Sequence, residues 1–180
     1  CRWADDSVIL LKSERAALRV LEGMIKYLEG TLNLPVNREK SEVAKFKDIT
    51  FLGFRISGGK IRISEKAIAK FKRRVKSLTH RNNPLSMYQI ITELKPYLRG
   101  WIGYFRIQQM SGILAELDVW IRYRLRAMQL KKWKKPKKFQ RIMIKAGFDP
   151  REAHKTWVNM KTWHSAHRKE VCIVLSPEWF

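Results

Sequence analysis

Helical spacing of apolar residues beyond Ser64 is the feature that most restricts the folds open to this chain. In three successive segments, apolar side chains recur every three or four residues, as one buried face of a helix requires. The three stripes are Ile68, Phe71, Val75 and Leu78; Ile90, Ile91, Leu94, Leu98, Trp101, Ile102 and Phe105; and Ile113, Leu114, Leu117, Trp120, Ile121, Leu125 and Met128. A capping-box signature, Ser86 with Gln89, precedes the second stripe. We therefore predict a three-helix bundle over 64–135, ended by Pro136.

Within this bundle, a few large side chains are expected to form the core. The side chains predicted to face inward are Phe71, Leu94, Trp101, Trp120 and Leu125. Beyond the bundle, one further short helix, a turn near Pro150 and an aromatic-rich tail are predicted over 139–180.

The first 63 residues combine strand and helix patterns. Residues 2–11 predict a strand, a tight turn and a short buried strand at 8–11. Ser13 is a suitable N-cap for a helix that would end near Gly30. A second hairpin is predicted over 49–63, where Gly58-Gly59 permits the positive φ of a tight turn. The chain is therefore expected to be an α+β protein, with mixed structure first and mainly helical structure after it.

Positive charge is large and unevenly distributed. The 38 lysines and arginines exceed the 16 acidic residues, for a formal net charge of +22. Residues 61–135 hold 18 basic and 4 acidic side chains, whereas residues 1–60 hold 11 and 8. Such a charge favours a polyanionic partner, with nucleic acid the first hypothesis and an anionic membrane surface the alternative. No apolar run approaches the roughly 20 residues of a spanning helix.

Cysteine usage adds a hypothesis about the compartment. Cys1 and Cys172 match neither a metal-ligand spacing nor a disulfide framework. A reducing, intracellular environment is the one that fits best.

Asp5 and Asp6 adjoin in the predicted first turn, with apolar residues on both sides. Acidic side chains are seldom buried unless they are paired or bind a metal. Two carboxylates fixed by a hairpin, with a third nearby, can bind the two divalent cations that promote phosphoryl transfer. A solvated turn is the simpler interpretation of the same residues. By itself, the motif leaves both interpretations open.

Several blocks along the chain resemble one family. RWADDSVIL, LNLPVNREKSEV and FLGFRI are similar, in this order, to the last three blocks of a reverse transcriptase palm. RGWIGYF at 99–105 and LDVWIRYRLR at 117–126 resemble the maturase-specific thumb, or domain X, of group II intron-encoded proteins. The tail TWVNMKTWHSAHRKEV is similar to the C-terminal extension of some bacterial members. The sequence thus resembles the group II intron reverse transcriptase/maturase family.

This resemblance implies a division of the chain and a parent activity. Residues 1–63 would be the C-terminal part of the palm, 64–135 the thumb and 136–180 a basic, aromatic-rich extension. The parent would be an RNA-directed DNA polymerase that also assists splicing. This chain alone is expected to be inactive, because the upstream palm and fingers lie outside it. The implied partners are group II intron RNA, an RNA template with a DNA primer, and deoxynucleotides, in a cytoplasmic, bacterial-type or organellar setting without a membrane.

The resemblance also assigns roles to individual residues of the first 63. Asp5 and Asp6 match the catalytic pair and would hold two Mg²⁺ ions together with an aspartate from an earlier palm strand. The residues matched to nucleotide or primer contacts are Trp3, Ala4, Lys40, Phe51, Leu52 and Gly53. Trp3 stands where the family usually has tyrosine. Lys40 matches a basic residue near the nucleotide phosphates, and Phe51, Leu52 and Gly53 match the primer-grip hairpin.

Basic residues of the helical segment are the predicted nucleic-acid contacts, because guanidinium and ammonium groups bind phosphate. They are Lys66, Lys70, Arg73, Arg74, Lys76, Arg99, Arg106, Arg122, Arg124, Arg126, Lys131, Lys132, Lys134 and Lys135. Two other functions stay open: a non-catalytic RNA-binding module that keeps the palm blocks as scaffold, and a generic basic DNA-binding bundle. The FLGF and NREKS blocks disfavour the generic bundle, because plain binding requires neither.

Overall fold

The computed structural model describes residues 1–57, 59–109, 111–133, 135–159 and 163–180. They form two compact units, Cys1–Ser64 and Glu65–Phe180. Short antiparallel strands and a helix make up the first unit, and helices make up the second. The predicted α+β class is therefore confirmed.

The first unit is built from two small antiparallel sheets and one helix. Its elements are β1 (Arg2–Trp3), β2 (Asp6–Ser7), α1 (Glu14–Gly30), β3 (Thr50–Phe51), β4 (Phe54–Ser57) and β5 (Lys60–Ile63), with a 3-10 turn at Phe46–Asp48. β1 pairs with β2, and β3, β4 and β5 form a meander in that order. Ser13 caps α1 as predicted, since its hydroxyl accepts a hydrogen bond from the Ala16 amide.

The predicted buried strand at 8–11 is wrong. The hairpin closes at Val8, whose amide donates to the Cys1 carbonyl at 2.7 Å. Ile9, Leu10 and Leu11 are exposed and adopt no strand. A strand requires a hydrogen-bonded neighbour, and none of the described strands pairs with Ile9, Leu10 or Leu11.

The second unit contains the helices that the apolar stripes predict, followed by shorter ones. They are α2 (Glu65–Leu78), α3 (Met87–Phe105), α4 (Ser111–Lys132), α5 (Pro136–Lys145), α6 (Pro150–Val158) and α7 (Lys169–Val174), with 3-10 turns at Trp163–His167 and Pro177–Trp179. The capping box of Ser86 and Gln89 is formed at the start of α3. Pro136 occupies the first turn of α5, where its missing amide costs no helical hydrogen bond.

A first core joins α2, α3 and one face of α4, which confirms the three-helix bundle. Its buried members are Phe71, Val75, Ile90, Leu94, Leu117, Ile121, Leu125 and Met128. Of the five side chains predicted to face inward, Phe71, Leu94 and Leu125 are buried. Trp101 and Trp120 are half-buried and pack against the edge of this core.

A second core lies on another face of α4. It comprises Tyr123, Ala127, Leu130, Trp133, Phe139, Met143, Ala153, Ala166, Val171, Val174 and Leu175. At 3.6 residues per turn, the α4 residues of the two cores point roughly 150° apart. α4 is therefore a central helix that is apolar on two opposite sides. The prediction of only one further helix after the bundle is wrong, because α5, α6 and α7 together cover the second side.

Candidate nucleic-acid interface

Asp5 and Asp6 lie at the end of the first hairpin. Trp3 pairs with Asp6 across the two strands, so the connecting loop consists of Ala4 and Asp5 alone. Ala4 has a φ of 50°, a left-handed conformation that the first position of a two-residue hairpin loop often requires and that normally favours glycine. Both carboxylates are exposed. They are available as oxygen ligands for a hard divalent cation.

Asp5 and Asp6 belong to no larger cluster of metal-ligating side chains in the residues that the structure describes. Across the described part of the chain, no group of three or more His, Cys, Asp or Glu side chains could hold a metal ion. Trp3, beside the aspartates, is 67% exposed. Asp5 and Asp6 supply two carboxylates, fewer ligands than a bound divalent cation takes.

Leu52 and Gly53 form the loop between β3 and β4. Phe51 pairs with Phe54, and the two residues between them have φ values of 51° and 79°. Positive φ at both positions is the pattern of a type I′ turn. Leucine in this region costs roughly 1–2 kcal/mol. The Gly53 carbonyl accepts a hydrogen bond from the Ser64 amide at 2.8 Å, which joins the loop to the end of β5.

Lys40 also lies in a turn of the first unit and is exposed. Its amide donates to the Asn37 side-chain oxygen at 3.2 Å. The neighbouring Arg38 forms an ion pair with Glu29 of α1 at 2.6 Å. The hydrogen bond from Arg38 lowers the pKa of the Glu29 carboxyl below its ordinary value. This exposed pair contributes little stability, but it connects the turn that carries Lys40 to α1.

The exposed side of α2 holds five of the predicted nucleic-acid contacts. We call it the α2 surface; its members are Lys66, Lys70, Arg73, Arg74 and Lys76, all exposed. The other side of the helix carries the buried Phe71 and Val75. Because Lys66, Lys70 and Arg73 follow helical spacing, their charges form a row along the helix. Such a row suits the regularly spaced phosphates of a nucleic-acid backbone.

Arg124, another predicted contact, is bound within the second unit. Its Nε donates to the Thr79 hydroxyl at 2.7 Å, and its Nη2 donates to the Thr79 carbonyl at 3.0 Å. The buried Thr79 hydroxyl donates in turn to the Val75 carbonyl at 2.6 Å. These bonds satisfy oxygens at the C-terminal end of α2, where helical partners run out. Burial lowers the pKa of the Arg124 guanidinium, although arginine remains charged in proteins.

Two cations approach the ring of Trp120 at the same junction. The Arg124 guanidinium carbon lies 5.4 Å from the ring centroid, and Lys72 Nζ lies 5.9 Å from it. Both distances are within the range of cation–π attraction. Trp120 thus helps to hold α2 against α4.

Arg126 and Arg122 of α4 also have partners inside the protein. Arg126 Nε donates to the Leu175 carbonyl at 3.0 Å, which ties α4 to the C-terminal segment. Arg122 forms an ion pair with Asp118, one turn earlier, at 2.6 Å. Both guanidinium groups keep part of their surface in solvent.

Lys131 and Lys132 contact the loop between α2 and α3. Lys132 Nζ donates to the Asn83 carbonyl at 2.8 Å and to the Leu85 carbonyl at 2.5 Å. Lys131 Nζ donates to the side chain of Asn82. Their roles as nucleic-acid contacts stay a prediction, and the structure gives both lysines a bond that holds the bundle together.

The remaining predicted contacts are more dispersed. Arg99 is exposed on α3, Arg106 is exposed at the C-cap of α3, and Lys135 is exposed at the N-cap of α5. Lys134 lies outside the described residues. The predicted contact set ends at Lys135 and therefore lacks the next four exposed cations, which are Lys137, Lys138, Arg141 and Lys145. The spacing of Phe139 and Met143, which are both buried, was the signal that these cations occupy the opposite side of a helix.

One comparison with known proteins gives a match. Residues 68–147 match the family model described as the group II intron, maturase-specific domain. This range begins within α2 and runs just beyond the end of α5. The search of curated proteins finds no match. In the described part of the chain, none of the helices has the length and hydropathy needed to cross a bilayer.

Proposed function

We propose that the second unit, in which residues 68–147 match the maturase-specific domain of group II introns, binds folded intron RNA and thereby assists splicing. The observation that carries the proposal is the α2 surface, which lies within the matched range except for Lys66. Its exposed cations can contact phosphates without any catalytic group. Splicing assistance of this kind requires the protein only to stabilise the folded RNA.

Geometry and charge indicate that the α2 surface contacts the phosphates of RNA rather than stacking on its bases. All five cations of the α2 surface are exposed, while the aromatic Phe71 of the same helix is buried. RNA duplexes are recognised largely through phosphate and 2′-hydroxyl groups along their shallow minor groove. The preference for folded intron RNA would then come from the shape of the RNA, which positions its phosphates and hydroxyls.

We further propose that the first unit belongs to the active site of an RNA-directed DNA polymerase. Asp5 and Asp6 would hold Mg²⁺, which when bound would activate the attacking hydroxyl and stabilise the leaving oxygen. The two-residue loop of the hairpin fixes the spacing of the carboxylates. Gly53 has no side chain, so the primer end can come close to this backbone. Lys40 would place a positive charge near the phosphates of the incoming deoxynucleotide. This nucleotide would pair with an RNA template.

A competition experiment tests the splicing proposal. The 180-residue chain is mixed with folded intron RNA and a scrambled RNA of equal length, over a series of salt concentrations. We expect both affinities to fall with salt, and the preference for folded intron RNA to persist, because contacts to shape and to 2′-hydroxyls are screened less than phosphate pairing. Equal affinities at every salt concentration would reduce the chain to a nonspecific basic module and refute the proposal.

A further inference from the structure

A second group of exposed cations lies on α5 and α6. We call it the α5–α6 surface; its members are Lys137, Lys138, Arg141, Lys145, Arg151 and Lys155, all exposed. The two helices are joined by a hydrogen bond between Gln140 Nε2 and His154 Nδ1 at 3.0 Å. Lys137 and Arg141 flank Gln140 on α5, and Arg151 lies one turn before His154 on α6. The cations therefore lie on two helices that contact each other, together with one exposed acidic residue, Glu152 of α6.

This surface and the α2 surface lie on opposite sides of α4. Phe71 and Val75 of α2 belong to the core on one face of α4, with Leu125. Phe139 of α5 belongs to the core on the other face, with Ala127. Each helix turns its apolar side toward its own core, and its cations lie on the side away from that core.

The separation between the surfaces makes them independent for binding. With usual interhelical distances of 8–10 Å, the axes of α2 and α5 lie on the order of 16–20 Å apart across α4. The Debye length at physiological ionic strength is about 8 Å. A polyanion held on one side is therefore largely screened from the cations on the other, and one straight duplex cannot contact both.

The chemistry of the α5–α6 surface indicates a phosphate backbone as its ligand. α5 contains four cations and no acidic residue. No exposed aromatic side chain lies on α5 or α6, all of whose residues the structure describes. Binding of single strands typically uses aromatic rings on which bases stack, whereas duplex RNA is recognised through its backbone.

We infer that the second unit is bivalent: the α2 surface and the α5–α6 surface each bind the backbone of a separate RNA duplex segment. This inference rests on the proposed function and specifies how it would work. When both segments belong to one folded RNA, binding of the first raises the effective concentration of the second. The protein would then stabilise the RNA fold by bridging two of its helices.

The stoichiometry of binding tests the inference. The full chain is titrated with RNA duplexes of about 16 base pairs, a length that spans a duplex-binding surface, and the complexes are weighed by native mass spectrometry with duplex in excess. We expect one chain to bind two duplexes. Saturation at one duplex per chain would overturn the inference. So would complexes with two chains and two duplexes only, because self-association would then explain the bridging.

Charge-removal variants assign each duplex to a surface. The quadruple variants are K66A/K70A/R73A/R74A for the α2 surface, K137A/K138A/R141A/K145A for the α5–α6 surface, and R15A/R19A/K45A/K47A as a control with the same loss of charge in the first unit. Unchanged unfolding midpoints show that each variant is folded. We expect one duplex per chain for the first two variants and two for the control. Loss of a duplex from the control as well would contradict the assignment.

Two further arms separate this inference from its alternatives. A DNA duplex of the same sequence is titrated in parallel, and binding of DNA but not RNA by the α5–α6 surface would overturn the RNA assignment. The competition between intron and scrambled RNA is run on the same preparations. A chain that binds two duplexes without preferring intron RNA is bivalent but not a maturase, so failure of the proposed function is distinguishable from failure of the inference.

Discussion

At the scale of single residues, the basic side chains show what sequence can and cannot predict. Arg73, Arg124 and Arg126 have the same charge and the same predicted role. In the structure, Arg124 nevertheless donates a hydrogen bond to Thr79, 45 residues away, and Arg126 donates one to Leu175, 49 residues away. Arg73, in contrast, is exposed. Such long-range bonds have no local pattern in the sequence. Which cations are available to RNA was therefore not predictable from charge alone.

Substitution of Arg124 should change the stability of the protein, whereas substitution of Arg73 should change the salt dependence of RNA binding. Arg124→Gln should lower the free energy of unfolding by about 1.5–2 kcal/mol, because it removes hydrogen bonds that involve a charged group. It should leave the salt dependence of RNA binding unchanged. Arg73→Gln should change stability by less than about 0.5 kcal/mol and reduce the slope of log K against log salt by about 0.7–0.9. Urea denaturation and binding at several salt concentrations measure both; a reduced slope with unchanged stability for Arg124→Gln would contradict this.

The aspartate pair gives a second prediction at this scale. In an enzyme reconstituted with the upstream palm and fingers, Asp5→Asn or Asp6→Asn should abolish Mg²⁺-dependent DNA synthesis, because each substitution removes a charge from the metal site. RNA binding by the second unit should be unaffected. Primer extension and RNA binding are measured on the same variants. Wild-type extension by either variant would refute the catalytic assignment and favour a palm retained only as scaffold.

At the scale of elements, helical periodicity predicted the long helices but could not predict helices of only a few turns. The apolar stripes of α2, α3 and α4 extend over several turns, and each of these helices forms where its stripe predicts it. α6 and α7 have only nine and six residues, too few for a clear period. The apolar run at 8–11 resembles a strand, but strand formation depends on a neighbour that local sequence does not specify. α4 is stabilised on two sides, which a search for one apolar face cannot recognise.

Truncation of a buried ring on each side of α4 tests whether the second unit folds as one body. Phe71 and Phe139 are 2% and 0% exposed, and replacing either with alanine should cost about 3–5 kcal/mol. Both variants should shift a single unfolding transition, followed by circular dichroism in urea. Ile144→Ala, an exposed change on α5, is the matched control and should cost much less. A Phe139→Ala variant whose main transition is unshifted would show that α5 folds independently of the bundle.

At the scale of the whole molecule, the two units differ in how they are built. The order of the motifs predicted an α+β chain with a helical second part, and this holds. Burial was not predictable in the same way, because it depends on how much apolar surface each unit can cover. In the described part of the first unit, Ile63 is the one buried apolar residue, whereas the second unit contains two cores. Several large apolar side chains of the first unit, including Leu10 at 65%, are exposed.

This difference predicts a gradient of stability along the chain. α1 has 17 residues and none is buried, so its amides should open at low free energy, whereas those of α3 and α4 should open only when the second unit unfolds. We expect α1 amides to exchange at least about a hundredfold faster than those of α4, equivalent to a difference of about 2.7 kcal/mol in opening free energy. Hydrogen exchange followed by mass spectrometry measures this, with each peptide normalised to its rate in the denatured chain. Equal protection of α1 and α4 would mean that the first unit is stabilised in solution by contacts other than those within the unit itself. The binding experiments would then have to treat the chain as one cooperative body.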